Sequence, residues 1–156
     1  MLGVGEKAPD FALYDADRKV RKLSEFLTQG GKTVLAFFPG AFTSVCTQEM
    51  CTFRDMYGEL QNLKGTVVGI SVDAPFAQKA FAEKNGLTFT LLCDFKREAV
   101  QKYGVVWKSL GGVEGYDVAN RAIFVVDSMG EISFKWVAEN PGVMPDFEAI
   151  KKSLAS

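Results

Sequence analysis

The patterning of this chain predicts an α/β fold, a mixed central β-sheet flanked by helices, and three observations carry that expectation. Two short apolar runs bounded by turn residues, 33–38 and 66–72, read as buried strands. A stretch with helical spacing follows each of them. Near the C-terminus two more apolar runs, 122–126 and 132–137, are joined by Asp127-Ser128-Met129-Gly130 and followed by a last helical stretch over 146–154. Strands alternating with helices build a parallel core with right-handed crossovers, and the late hairpin adds antiparallel strands to it.

The remaining elements follow from local signals. Residues 11–20 read as a short hairpin turning at Asp15-Ala16-Asp17. Residues 23–27 read as a short helix, with Ser24 as a candidate cap and Gly30-Gly31 as the stop. In the first long helix, read over 47–63, Met50, Phe53, Tyr57, Leu60 and Leu63 recur at spacings of three and four, and Gly65 is the expected stop. The next helix, 74–85, has Asp73 as candidate cap, Pro75 in its first turn and Gly86 at its end. A shorter strand is expected over 89–92 and a helix over 96–103, closed by Gly104.

Bulk properties bound the function. The 156 residues suit one domain over 1–156 with a substantial core. A net charge of −1 offers no basic excess for nucleic acid or an anionic membrane surface. No apolar run approaches the roughly 20 residues of a membrane span. The stretch 1–11 carries Glu6 and Asp10 and lacks the apolar core of a signal peptide, so a cytoplasmic location is expected, where thiols stay reduced. Histidine is absent, which excludes Cys–His dyads, Ser–His–Asp triads and histidine-ligated metals. The three cysteines, Cys46, Cys51 and Cys93, form no CxxC pair and no four-ligand zinc pattern, so no metal is expected.

Chemistry concentrates in Pro39-Gly40-Ala41-Phe42-Thr43-Ser44-Val45-Cys46, between an expected strand and an expected helix. A helix start presents unpaired N–H groups and a positive dipole end, which favour a thiolate. An ordinary thiol with pKa about 8.5 is only about 3% thiolate at pH 7. Making thiolate the major form takes about two units, or about 2.7 kcal/mol. A helix terminus supplies ~0.3–1 kcal/mol, and about 2 when partly buried. A nearby arginine can supply the rest. Arg121 is well placed, because it immediately precedes the run 122–126 and strand ends line ligand sites in α/β folds. Thr43 is the expected N-cap, with a hydroxyl able to donate to the sulfur or bond an incoming oxygen. Pro39 lacks a backbone donor and can fix the loop that shields the sulfur. On position alone, Cys46 reads equally well as a packed, inert thiol.

In a regular helix, residues five apart have Cα atoms roughly 8.6 Å apart. A disulfide needs about 4.4–6.8 Å. Cys46 and Cys51 therefore cannot join while the helix is intact, and joining them requires the first turn or more to unwind. Equally, Cys51 reads as a helix residue with no partner. Cys93, at the end of an apolar strand, reads as a structural thiol, with a second resolving cysteine as its alternative.

The stretch from Phe38 to Cys46 resembles the peroxiredoxin active-site motif, PxxxTxxC, of the AhpC/TSA type. Thr47-Gln48-Glu49-Met50-Cys51-Thr52-Phe53-Arg54-Asp55 is similar to the helix of the PrxQ, or bacterioferritin comigratory protein, branch. Gly5-Glu6-Lys7-Ala8-Pro9-Asp10-Phe11, Val68-Gly69-Ile70-Ser71-Val72-Asp73 and Asn120-Arg121-Ala122-Ile123-Phe124-Val125-Val126-Asp127 resemble further family segments, in order along nearly the whole chain. The apolar Gly40-Ala41-Phe42-Thr43 looks more like the AhpE or Prx5-like branches, and AhpE-like members commonly lack the Cys51 equivalent.

The resemblance implies a thioredoxin-like fold with an N-terminal extension and a middle insertion over 73–112. It also implies a peroxidase acting on hydrogen peroxide and organic hydroperoxides. Cys46 would be the peroxidatic cysteine and Cys51 the resolving one, joined in a redox-active disulfide. Thr43 and Arg121 would polarise the peroxide, Pro39 would shield the intermediate, and Glu49 would support the site, with Arg54 as its candidate partner. No cofactor is implied. The implied reductant is thioredoxin or a similar dithiol, and the assembly a monomer or a homodimer through the active-site loop, with Phe42 either at that face or packed on its own domain. Two mechanistic rivals remain, a one-Cys cycle using an external thiol and a peroxide sensor or redox-switched holdase. A thiol–disulfide oxidoreductase is disfavoured by the missing CxxC.

Overall fold

The computed structural model describes residues 2–27 and 30–156; Met1 of the N-terminal stretch lies outside them. In chain order the strands are β1 (Ala12–Asp15), β2 (Val20–Lys22), β3 (Lys32–Phe37), β4 (Gly65–Ser71), β5 (Thr90–Cys93), β6 (Val106–Trp107), β7 (Val118–Ala119), β8 (Ala122–Val126) and β9 (Ile132–Val137). The helices are α1 (Leu23–Leu27), α2 (Ser44–Asn62), α3 (Pro75–Asn85), α4 (Glu98–Lys102) and α5 (Phe147–Ala155).

Seven strands form one mixed sheet in the order β2-β1-β5-β4-β3-β8-β9. The β3–β4 and β4–β5 pairs are parallel, and every other pair in that sheet is antiparallel. Parallel central strands are covered on both faces, which is why their sequences are apolar almost without break. Along β3 the side chains alternate. Leu35 and Phe37 join one core with Phe26 of α1 and Ala99 and Val100 of α4, together with Tyr103 just beyond that helix. Val34, Ala36 and the following Phe38 join the other, with Met50, Phe53 and Leu60 of α2, Phe81 of α3, and Ile150 and Leu154 of α5. Helices therefore cover both faces, as expected. Each fully buried Leu, Phe or Met contributes about 1.5–3 kcal/mol.

The differences from expectation have local causes. Helix α1 begins at Leu23, which places Ser24 inside it rather than at its cap. Helix α2 starts three residues earlier than the 47–63 reading, its first turn being Ser44-Val45-Cys46-Thr47, of which Cys46 alone is buried. Its stop is not Gly65: Lys64 takes the left-handed turn at φ 59°, and Gly65 opens β4. Gly65 is there for space, since a Cβ would lie 2.8 Å from Leu154 Cδ1 and 3.1 Å from the Leu60 carbonyl oxygen. Helix α3 has Ala74, not Asp73, at its N-cap. Helix α4 is shorter than the 96–103 reading; the Asp94 carboxylate accepts from the Ala99 and Val100 N–H groups at its start. The two-residue strands β6 and β7 form a separate antiparallel pair among the described residues.

The register sets up the site. In the β3–β8 pair Phe37 faces Ala122, so Arg121 lies beside the point where the chain leaves β3. The loop that follows runs into the N-terminus of α2.

Candidate active site

Thr43 is the N-cap residue of α2, and Cys46 is the third residue of the helix. The first helical backbone bond runs from Thr47 N–H to the Thr43 carbonyl, so the N–H groups of residues 44–46 precede the intrahelical ladder. Cys46 is 1% exposed.

Arg121 meets Cys46 there. Its Nη2 donates to Cys46 Sγ at 3.1 Å and to the Pro141 carbonyl at 2.8 Å. Its Nε donates to the same carbonyl at 3.1 Å, and its Nη1 to Glu49 Oε1 at 2.6 Å. These bonds use four of the five guanidinium N–H groups. The planar fork thus aims one edge at sulfur and carbonyl while the carboxylate holds another. The guanidinium places a fixed positive charge at hydrogen-bond distance from the sulfur. Burial opposes the charge on Arg121, but Glu49 and Cys46 outweigh it and leave the group above its ordinary value.

Glu49 lies one turn along α2 from Cys46 and is fully buried. Burial pushes its carboxyl up to about 7, against the opposing pull of Arg121. Among the described residues its Oε2 has no hydrogen-bond partner. The expected partner Arg54 is elsewhere: five residues further along the helix, it donates to Asp55 Oδ1 at 3.0 Å and to the Asn85 carbonyl at 2.6 Å.

Pro39 is buried in the loop after β3. Thr43 is exposed, and its hydroxyl donates to the Gly40 carbonyl at 2.9 Å rather than to the sulfur. Phe42 sits in the left-handed region at φ 67°, turning the chain so that this hydroxyl reaches back three residues. With its proton so engaged, the Thr43 oxygen keeps its lone pairs for a donor from outside. Phe42 is 52% exposed, yet its ring meets Phe81 edge-on at 5.3 Å.

Cys51 lies within the unbroken α2, and its sulfur faces Asn85 Oδ1 at 3.7 Å. Both Cys46 and Cys51 are free thiols. Cys93 ends β5, and burial, reinforced by Asp73 and Asp15, pushes its thiol up to about 12, consistent with an inert structural role.

Two contributors were not legible in sequence. The Pro141 carbonyl is a backbone acceptor and leaves no side-chain signal. Asn120 bonds the Arg121 N–H through Oδ1 at 2.8 Å and the Ala138 carbonyl through Nδ2 at 2.8 Å, fixing the strand end that carries the arginine; its place immediately before Arg121 was the available hint.

A buried cysteine at a helix start, bonded by an arginine that precedes the antiparallel strand β8 and is itself paired with a buried glutamate of the same helix, is the arrangement of a thiol redox protein on a thioredoxin-like fold. Comparison with known proteins gives the family. The sequence profile of the AhpC/TSA family matches residues 4–135, and the chain belongs to that family, the peroxiredoxins. It is 38% identical to alkyl hydroperoxide reductase E of Mycobacterium tuberculosis over 159 aligned positions, covering 100% of this chain and 98% of that protein. It is 39% identical to peroxiredoxin Bcp of Escherichia coli over 133 positions, covering 84% of this chain and 83% of that one. The crystal structure of peroxidoxin BcpB from Mycobacterium tuberculosis superposes with a TM-score of 0.83 at 30% identity, covering 99% of this chain and 96% of the other. No helix among the described residues is long and apolar enough to cross a membrane.

Proposed function

We propose that this chain is a thiol-dependent peroxidase that reduces hydrogen peroxide and alkyl hydroperoxides through Cys46 and resolves the product with Cys51. The observation that carries the reading is the Arg121 guanidinium at 3.1 Å from a buried sulfur at a helix start. The family membership and the relatives' names, alkyl hydroperoxide reductase and peroxiredoxin, support the reaction class.

The Cys46 thiolate attacks the terminal peroxide oxygen. An S–O bond forms, the O–O bond breaks, and the leaving oxygen takes a proton to depart as water or an alcohol. Sulfur loses two electrons and becomes a sulfenic acid. Arg121 holds the thiolate and faces the developing charge, Thr43 accepts from the peroxide O–H, Pro39 shields the loop, and Glu49 orients Arg121. Cys51 then attacks the sulfenic sulfur; an S–S bond forms and water leaves. Thioredoxin or a similar dithiol, in a cytoplasmic setting, returns both thiols by taking up the disulfide.

A second reading, a one-Cys cycle with an external thiol, is favoured by the intact helix around Cys51. Mass spectrometry after one equivalent of peroxide separates the two. Loss of two hydrogens mapped to Cys46 and Cys51 supports the disulfide, and one added oxygen at Cys46 alone supports the one-Cys cycle. The seven-stranded sheet, drawn from residues 12–137, supports reading 1–156 as one domain. The half-exposed Phe42 is compatible with a monomer or with a homodimer through the active-site loop, which sedimentation distinguishes.

A further inference from the structure

Asp73 has the sequence position of a helix cap and does not act as one. The N-cap of α3 is Ala74, without any side-chain cap bond. The Asp73 carboxylate turns the other way, toward the loop that leads to Cys46. Its Oδ2 accepts the Ala41 N–H at 2.8 Å and the Ser71 hydroxyl at 2.6 Å. Ser71 in turn accepts from Gln78 Nε2 at 2.9 Å, and Gln78 Nε2 also donates to the Leu92 carbonyl at 3.0 Å. Ser71 and Gln78 are both 0% exposed. The chain of donors runs one way, from a buried amide on α3, through a hydroxyl at the end of β4, to a carboxylate that then holds a loop N–H. Such aligned bonds reinforce one another. Among the described residues Gln78 Oε1 has no hydrogen-bond partner, a cost the amide bears while its Nε2 serves this chain.

What the carboxylate holds is strained. Ala41 precedes Phe42, whose left-handed backbone at φ 67° is unfavourable for a residue with a Cβ. Gly40 lies against the same carboxylate, with its Cβ position 3.9 Å from Asp73 Oδ2. The Gly40 carbonyl is the acceptor that fixes the Thr43 hydroxyl. Fixing residues 40 and 41 therefore fixes Thr43 and the first turn of α2. Cys46 and Arg121 are held separately, through Glu49 and Pro141.

We infer that Asp73, oriented by Ser71 and Gln78, is a positioning residue for the peroxidase reaction: it clasps Ala41 and so places Thr43 to receive the peroxide, while the sulfur's own environment is maintained by Arg121. This rests on the peroxidase reading of the site. It separates two properties of one cysteine, reactivity toward peroxide and general nucleophilicity.

The test measures two rates on the full-length reduced protein, oxidation of Cys46 by hydrogen peroxide and alkylation of Cys46 by iodoacetamide mapped by peptide mass. Asp73→Ala is expected to slow oxidation about ten- to hundred-fold, the scale of a misplacement near 1 Å, while alkylation stays within about threefold. Asp73→Asn keeps an oxygen for the Ala41 N–H and recovers most of the oxidation rate. Ser71→Ala lets the carboxylate swing and falls between the two. Oxidation by Asp73→Ala within about twofold of the unsubstituted protein overturns the inference, as does an equal fall in both rates or an Asn variant no better than Ala. Should Asp73→Ala not fold, Ser71→Ala decides: slowed oxidation with alkylation kept supports the clasp, and unslowed oxidation overturns it. If the unsubstituted protein does not consume peroxide, the peroxidase reading falls and the inference with it. Full peroxidase activity in both it and Asp73→Ala removes the inference alone.

Discussion

Oxidation to a Cys46–Cys51 disulfide is expected to unfold the first two turns of α2 and to lower stability. The two residues sit five apart in a continuous helix, Ser44–Asn62, at a separation of roughly 8.6 Å between Cα atoms. Bonding them moves Glu49 and Met50, which lie between them and are both fully buried. Breaking a buried ion pair such as Glu49–Arg121 costs about 3–5 kcal/mol, and exposing a methionine about 1.5–3. The crosslink closes a loop of only about six residues, which recovers about 2 kcal/mol. The net loss is then about 3–6 kcal/mol. At about 3 °C per kcal/mol for a chain of this size, the oxidised protein should melt roughly 10–20 °C below the reduced one. Differential scanning calorimetry gives the shift, and hydrogen exchange locates it. Protection should fall over residues 44–51 and persist in β3 and β4. A mapped Cys46–Cys51 disulfide with unchanged protection over 44–51 would refute the geometric argument. A product carrying one oxygen on Cys46 and no disulfide would refute the two-Cys cycle.

Further tests follow from the same contacts. Cys46→Ser should abolish peroxide consumption, while Cys51→Ser should complete one turnover and lose thioredoxin-driven cycling; full cycling by Cys51→Ser leaves a one-Cys enzyme. Burial raises the Glu49 carboxyl to about 7, so between pH about 4.5 and about 7 the folded state binds more protons than the unfolded one, and stability falls as pH rises through that window, by about 3 kcal/mol at most. Urea denaturation of Glu49→Gln should be flatter across this window than that of the unsubstituted protein, and parallel curves would contradict the assignment. Gly69→Ala places a Cβ 2.7 Å from Leu91 Cδ2, 3.3 Å from Phe38 Cε1 and 3.4 Å from Met50 Sδ. It should cost about 1–3 kcal/mol by overpacking the layer on which α2 rests, measured by chemical denaturation.

Elements with strong hydrophobic patterning were legible in the sequence, and those fixed by backbone bonds were not. The apolar runs around Leu35, Val68 and Phe124 mark β3, β4 and β8 because both faces of those strands are buried. The start of α2 escaped the pattern because Ser44 and Thr47 contribute nothing to its apolar stripe. Strands β6 and β7 are two residues each, too short for any periodicity. At the site, Cys46 and Arg121 could be paired from a strand end and a helix start, since topology alone brings those together. Glu49 was legible as a member but not its partner: Arg54 is near in sequence, while Arg121 is 72 residues away and adjacent only through the sheet. Thr43 was legible as the cap position but not the direction of its hydroxyl, which depends on the left-handed turn at Phe42.

The Glu49–Arg121 pair couples the two halves of the proposed cycle. Peroxide reduction needs the guanidinium held against Cys46, and an ionised Glu49 holds it. Resolution needs the turn bearing Glu49 to unwind. A carboxyl that burial raises to about 7 favours the buried site when protonated and the solvated one when ionised, so ionisation eases that unwinding. The proposed two-Cys cycle therefore predicts that both steps gain through Glu49 as pH rises from about 6 to about 8, sulfenic acid formation because the carboxylate holds Arg121 and disulfide formation because the ionised carboxylate leaves burial more readily. Rapid-mixing measurements of each step across that range check the trend. Glu49→Gln, which is neutral throughout, should lose this contribution from both steps, and an unchanged trend there would place the control in another group.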